Sequence, residues 1–311
     1  MQDISVVIPS NRTANDILPL LLSLQKQTVL PQRVIIVYDT YLDISSLSAY
    51  KKALSVSLSQ EFYDCLLVVN NVDFSDFFPQ QWASYVRNRW ITHVETSFVA
   101  CIDDDNICPS TFFEDFLVCY DQNSIAKILV PTELYRDTSN IRSQWYDRFN
   151  VFLARPRKVS LISHNTTSLI PISFASSNCL FGETKVFRDI PFDNGLPFVY
   201  EDFYMTKRVS ISNIYGVYVC PSVSISHMMR QKTKIQDVYV HTPFHAFQKW
   251  RNRVIFVKNT CKPREILVFY LCGLPWQTLY LLCVIFFSLP FKESLDITAS
   301  LLRWTLDWIR S

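Results

Sequence analysis

Five short apolar runs, alternating with segments of helical period over the first 130 residues, constrain this chain more than any other feature. They are Ile4 to Ile8, Val34 to Val37, Leu66 to Val69, Phe98 to Ile102 and Ile125 to Val130. Each has the length of a buried strand and is apolar on both faces, which is the pattern of a parallel sheet covered by helices on both sides. Between them, Ile17, Leu20, Leu21 and Leu24 recur at helical spacing behind Asn15 or Asp16 as N-cap. Trp82, Val86, Trp90 and Val94 do the same before the fourth run. Such alternation predicts an α/β sheet. From residue 131 to 170 the pattern weakens at Pro131 and Pro156, which predicts loops and partial strands. Apolar spacing then returns around Phe174 to Phe181. A helix is expected from about Glu201 to Ile211, β-like runs at Ile214 to Val219 and Val223 to Ile225, and a helix from near Val238 to Lys258.

Ligands of open α/β sheets bind beyond the carboxyl ends of the strands. The residues at those ends are Pro9 and Ser10, Asp39, Asn70 and Asn71, and Asp103 to Asp105. None of the four glycines (Gly182, Gly195, Gly216, Gly273) lies there, which excludes a P-loop or a dinucleotide fingerprint. The net charge of +2 gives no basic excess of the kind a nucleic-acid partner requires. Nine scattered cysteines, none at the two-residue spacing of a zinc or redox site, read as reduced core residues. Together with the lack of a secretory start, they place the catalytic part on the cytoplasmic side.

The last 50 residues change character. Ile266 to Leu289 is a run of 24 residues without a charged side chain, long enough to cross a bilayer. Gly273, Pro275 and Gln277 interrupt it, so a kinked span and a re-entrant or in-plane hairpin are both compatible with it. Residues 294–310 carry polar groups on one helical face and Leu301, Leu302, Trp304 and Trp308 on the remainder, the pattern of an interfacial helix. The expected division is therefore 1–258 for the sheet domain and 259–311 for a membrane-associated segment, membrane contact being weighed against a buried helix pair.

Asp103, Asp104 and Asp105 directly follow the fourth run, and three adjacent carboxylates repel one another unless a cation balances them. In an extended segment Asp103 and Asp105 project to the same side, so the two can offer oxygens to one hard divalent ion, Mg²⁺ or Mn²⁺. A solvated acidic loop is the plainer alternative, and the position at the end of an apolar strand weighs against it.

At these residues the chain resembles inverting glycosyltransferase family 2, whose Asp-x-Asp signature Asp103 to Asp105 match. The likeness extends over roughly residues 3 to 228. Ile4-Ser5-Val6-Val7-Ile8-Pro9 resembles the family's opening strand, and Arg33 to Asp39 its second strand, whose terminal Asp contacts the nucleobase. Arg87-Asn88, about 15 residues upstream of the acidic cluster, is similar to the family's Ala-Arg-Asn. Tyr200-Glu201-Asp202 resembles its Glu-Asp acceptor motif, preceded by Asn178 to Phe181 and Phe192-Asp193. The chain departs from the family at Asp39-Thr40-Tyr41, where Asp-Asp-Gly-Ser is common, and at Asn106, where a further Asp is frequent.

The resemblance implies a GT-A fold, a mixed Rossmann-like sheet flanked by helices, and a metal-dependent transferase that uses a nucleotide-diphosphate sugar. Implied donor contacts are Pro9, Ser10, Asp39, Arg87, Asn88, Asp103, Asp104 and Arg230; implied metal ligands are Asp103, Asp105 and His227. Inverting transfer needs a base for the acceptor hydroxyl, and Asp202 is the candidate, with Glu201 orienting it or holding the acceptor. A plain acidic residue at a helix N-terminus is the alternative reading of Asp202. Trp250, on the helix before the tail, faces acceptor or lipid headgroups or belongs to a solvated basic face. The expected acceptor is a glycan or lipid-linked hydroxyl, in cell-surface polysaccharide synthesis. A catalytically inactive membrane-bound scaffold is the competing function; it has no use for Asp103, Asp105 and Asp202 together.

Overall fold

The first, second and fourth apolar runs are strands covered on both faces, because alternate side chains feed two separate cores, whereas the third is the edge strand and leaves Leu67 exposed. In the computed structural model, residues 3–10, 12–38, 44–70, 82–136, 140–141, 145–153, 155–158, 168–196, 200–228, 243–288 and part of 292–303 are described. The elements run β1 (Ile4–Ser10), α1 (Ala14–Gln25), β2 (Arg33–Tyr38), α2 (Ile44–Ser57), α3 (Gln60–Asp64), β3 (Leu66–Asn70), α4 (Trp82–Ile91), β4 (Phe98–Ile102), β5 (Asn106–Ile107), α5 (Phe112–Asp121) and β6 (Ala126–Tyr135). There follow β7 (Trp145–Asn150), β8 (Arg155–Lys158), β9 (Ile170–Ile172), β10 (Phe174–Ala175), β11 (Cys179–Glu183), α6 (Thr184–Asp189), α7 (Glu201–Ser210) and β12 (Gly216–His227). The chain closes with α8 (Pro243–Thr260), α9 (Pro263–Val268), a π-helical segment Phe269–Gly273 and α10 (Leu274–Ser288).

The main sheet has the order β3-β2-β1-β4-β11-β6-β12-β5, with β9 also pairing with β12. β1, β2, β3 and β4 are parallel, β11 runs antiparallel between β4 and β6, and β6 pairs parallel with β12. Ile4, Val6 and Ile8 of β1 face a core closed by Leu20, Leu21 and Leu24 of α1 and the phenylalanines of α5, whereas Val7 faces Val86 of α4 and Met205 of α7. β2 and β4 alternate in the same way, which explains why these runs show no polar face in sequence. The chain leaves β1 towards β2 and β3, then returns to β4 on the other side of β1. A crevice therefore opens at the carboxyl ends of β1 and β4, the point where strand order reverses.

Several local expectations need correction. α1 is capped by Thr13, not by Asn15 or Asp16. Asp16 is its third helical residue and returns a carboxylate bond to the Thr13 N–H, a reciprocal capping box. The fifth run extends to Tyr135, and the two runs expected at 214–219 and 223–225 form one strand, β12, whose register shift between Cys220 and Ser224 absorbs the Pro221 interruption. Gly182 of β11 is required by close approach, since a Cβ there would meet the Lys127 carbonyl oxygen at 2.3 Å. Of the nine cysteines, all free, Cys272 and Cys283 are exposed and are not core residues.

The chain forms two compact units, residues 1–147 with 158–230, and residues 148–157 with 231–311. The expected boundary at 258 differs because α8 belongs with the C-terminal helices. Val254, Val257 and Phe269 form one cluster to which Phe149, Trp250, Ile266 and Leu274 are added. In this second unit Phe269, Gly273 and Gln277, one turn apart, are buried, and Gln277 donates to the Phe152 carbonyl. Leu267, Tyr270, Leu271, Trp276, Leu279 and Tyr280 are exposed. Among the described residues no helix is long and apolar enough to cross a membrane; the uncharged run is divided among α9, the π-helical segment and α10. Residues 304–310 of the expected amphipathic helix lie outside the described residues.

Gly182→Ala should cost about 2–3 kcal/mol, since the obstructing atom is backbone and overpacking is not relieved by a rotamer change. A lowered Tm with an unchanged far-ultraviolet spectrum is expected; an unchanged Tm would contradict the close β11–β6 approach.

Candidate active site

At the end of β4 the three carboxylates do not form one ligand set. The backbone enters a turn at Asp104 and Asp105, so the same-side rule for extended segments does not apply, and each side chain finds a different partner. Asp103 Oδ1 pairs with Arg87 Nη2 at 3.1 Å. Asp104 accepts from Ser10 Oγ at 2.6 Å and from Arg12 Nε at 2.9 Å. Asp105 meets Arg12 Nη2 at 3.0 Å and His227 Nε2 at 3.2 Å. The cation that three adjacent carboxylates demand is thus supplied in part by two arginines. Among the described residues no group of three His, Cys, Asp or Glu side chains could hold a metal ion, so the predicted set of Asp103, Asp105 and His227 does not converge. Asp103 is drawn away by Arg87.

Local structure fixes these positions. Ser10 ends β1 and Asp104 follows β4, so their hydrogen bond crosses the crevice at the strand reversal. His227 reaches Asp105 because β5 pairs antiparallel with β12, matching His227 to Asn106, and the Met228 N–H donates to the Asp105 carbonyl at 2.7 Å. The buried Asn106 side chain donates to the carbonyls of Asp103 and Asn178, tying the turn to β11. Pro9 is a half-buried residue of β1 with no side-chain polar group to offer a ligand.

Arg87 links this turn to the second acidic pair. Its side chain, only 5% exposed, also reaches Glu201 Oε1 at 3.4 Å through Nη1. One guanidinium therefore holds a carboxylate from β4 and one from the start of α7. Its Nη1 and Nη2 are engaged inside the protein, while its Nε has no hydrogen-bond partner. Asn88 is used locally: its amide bonds both backbone groups of Phe192 and the Asn194 side chain. Asp202 accepts from the backbone N–H groups of Ser177 and Phe203 at 3.0 and 2.7 Å. The residue before the pair, Tyr200, has φ of 75°, a left-handed conformation that a tyrosine enters only when its surroundings hold it. Edge contacts from Tyr200 to Phe203 and from Phe203 to Tyr146 provide that hold.

Burial raises the affinity of these carboxyls for protons. Desolvation pushes Asp103 up to about 6 against the opposing Arg87, with Asp105 and Asp104 adding to the rise. Glu201 is pushed up to about 8, first by desolvation and then by Asp202, with Arg87 opposing. Asp202 is raised by desolvation, opposed by its two backbone bonds and by Arg87. Glu201 Oε2 has no hydrogen-bond partner, a buried acceptor left over at the site. Asp39 and Arg230 lie outside the described residues. Trp250 belongs to the second unit, where its indole donates to Thr278 Oγ1. Arg12 escaped the sequence reading; the unbalanced charge of Asp103 to Asp105 was the signal that called for it.

No protein-family model matches the chain, and no curated protein matches it. Solved structures do share its architecture. S. aureus TarS aligns over 87% of this chain and 43% of its own, at a TM-score of 0.51 and 18% identity. S. aureus TarS 1–349 in complex with UDP aligns over 83% and 66%, at 0.51 and 17%. GalNAc-T7, solved with UDP, GalNAc and Mn²⁺, aligns over 82% and 50%, at 0.59 and 12%. The fold is GT-A. The chain spans between 43% and 66% of the lengths of these three GT-A chains.

A carboxyl whose folded pKa lies above its unfolded value stabilises the fold below the unfolded pKa, and that contribution is lost as pH rises through the folded pKa. For Glu201 the window runs from the ordinary glutamate range up to about 8. Thermal unfolding followed from pH 5 to pH 8 should show stability falling across it, and Glu201→Gln should flatten that fall. Equal slopes in the two proteins would remove Glu201 as its source.

Proposed function

We propose that this chain is an inverting glycosyltransferase of the family 2 type, moving a sugar from a nucleotide-diphosphate donor to a hydroxyl of a glycan or lipid-linked acceptor. The observation that carries the reading is the Arg87 bridge, which holds Asp103 at the strand-reversal crevice and Glu201 of the Glu201-Asp202 pair on one guanidinium. It brings the donor end and the acceptor end of the expected site together. The UDP and Mn²⁺ in the solved neighbours support a nucleotide sugar and a divalent cation here.

The donor atoms suit such an ion. Asp105 Oδ1 and His227 Nε2, an oxygen and an imidazole nitrogen of the kinds that bind divalent ions, are 3.2 Å apart. Asp105 and His227 would hold Mg²⁺ or Mn²⁺. Such an ion would neutralise charge on the departing diphosphate. The chain's own residues do the rest. Asp202, its pKa raised and its carboxylate aimed by two backbone N–H groups, takes the proton of the acceptor hydroxyl as that oxygen attacks the anomeric carbon. The bond to the diphosphate breaks on the opposite face. Glu201, with one oxygen on Arg87 and one unpartnered, orients the acceptor. Ser10 holds Asp104 for the donor's sugar-nucleotide portion.

The exposed apolar residues of the second unit support attachment to a membrane surface; a cytoplasmic catalytic unit and a role in surface-polysaccharide synthesis belong to the same proposal. Exposed Lys262 and Arg264 at the start of α9 suit anionic headgroups, and Leu271 and Trp276 would enter the apolar layer.

Two experiments test this. In a thermal-shift panel of nucleotide-diphosphate sugars with and without Mn²⁺, one donor should stabilise the protein only with the metal present. Asp202→Asn should then retain that shift and lose transfer by about 10³-fold or more; turnover within tenfold of the parent would reject Asp202 as base. In vesicle flotation with anionic lipid, the double substitution Leu271→Glu, Trp276→Glu should leave most of the protein in the soluble fraction, and undiminished flotation would refute surface attachment through this face.

A further inference from the structure

All four carboxylate oxygens of Asp104 and Asp105 have partners inside the protein, and two of the four are met by Arg12. Its Nε holds Asp104 and its Nη2 holds Asp105, so one side chain from the loop after β1 bridges the two residues. The side chain is 37% exposed, against 5% for Arg87. Arg12 is anchored at its backbone, where its N–H donates to Ser10 Oγ at 3.1 Å.

We propose that Arg12 is an internal counter-ion that competes with the divalent cation for Asp105 and so sets the metal affinity of the site. This rests on the metal-dependent reading above. A divalent ion on Asp105 would lie within a few ångströms of the guanidinium, and like charges at that distance repel. The two contacts are made by different nitrogens, so Nη2 can leave Asp105 while Nε stays on Asp104. The released group moves into water at little desolvation cost because the side chain is already partly exposed. Arg87 cannot act in this way, being enclosed between Asp103 and Glu201. Before the ion arrives, Arg12 balances the charge of the turn; when it arrives, Arg12 gives up one of its two partners.

The test is a Mn²⁺ titration followed by the electron paramagnetic resonance signal of the free ion, without nucleotide, on the full chain. Removing the competitor in Arg12→Gln should tighten Mn²⁺ binding about five- to tenfold. Arg12→Lys, which keeps the charge, should stay near the parent, and Asp105→Asn should abolish binding. Melting curves in chelator establish that each variant is folded, and Arg12→Met, which retains the aliphatic stem, repeats the measurement if Arg12→Gln is not. Unchanged or weaker Mn²⁺ binding on loss of the Arg12 charge, with Asp105→Asn still abolishing it, overturns the competition and leaves the metal reading standing. Binding that survives Asp105→Asn at the parent's affinity overturns the metal reading and this proposal with it.

Discussion

Arg87 carries a full charge where almost no water reaches, and it can do so because Asp103 and Glu201 meet it from two sides. Isolated burial of a guanidinium is prohibitive, whereas one met by buried carboxyl groups roughly breaks even against its desolvation. Its worth therefore lies in placement. α4 seats Val86 and Ile91 in the core on one side of the sheet, and Val94 of the turn after it joins them, so the base of the Arg87 side chain cannot drift. Carboxylates nearly a hundred residues apart in sequence are then gathered onto one fixed cation. The sheet order provides the crevice, and Arg87 decides which acids face each other across it.

The two arginines of the site divide the work by exposure. Arg87 is enclosed and permanent, and its field lowers the proton affinity of Asp103, Glu201 and Asp202 against the desolvation that raises it. Arg12 is partly solvated and bridges Asp104 and Asp105 from a loop. Five carboxylates can stay close together only because both cations are present, one built into the helix layer and one at the rim. Ser10 adds a neutral contact that fixes Asp104 without altering the charge balance.

Much of this was legible in the sequence. Short runs apolar on both faces, bounded by segments of helical period, fit strands buried on both sides, so β1, β2 and β4 and their position in a parallel sheet could be read directly, while the exposure of Leu67 on the edge strand β3 could not. The acidic turn was legible as a place needing positive charge, because repulsion among adjacent carboxylates is a local property. Which cation answers that need was not. Arg12 and Asp104 are brought together by strand order, and nothing near Arg12 in the chain marks it. The role of Arg87 was partly hidden for the same reason, since Glu201 reaches it only once α7 packs against the sheet. The C-terminal run shows the limit of composition: its lack of charge was plain, while its division by a π-helical segment and the burial of Gln277 depend on contacts with Phe152.

Tyr200 carries a cost that the aromatic contacts around it offset. A left-handed tyrosine raises the energy of the folded state by about 1–2 kcal/mol, and the margin of a whole domain is only several times that. In return, the first turn of α7 starts already aimed, and the loss of orientational freedom is incurred once, during folding. Such a corner is the weakest part of a rigid scaffold. Warming should therefore loosen the start of α7 before it melts the sheet, because Glu201 and Asp202 lose their bearing as soon as this one backbone angle relaxes.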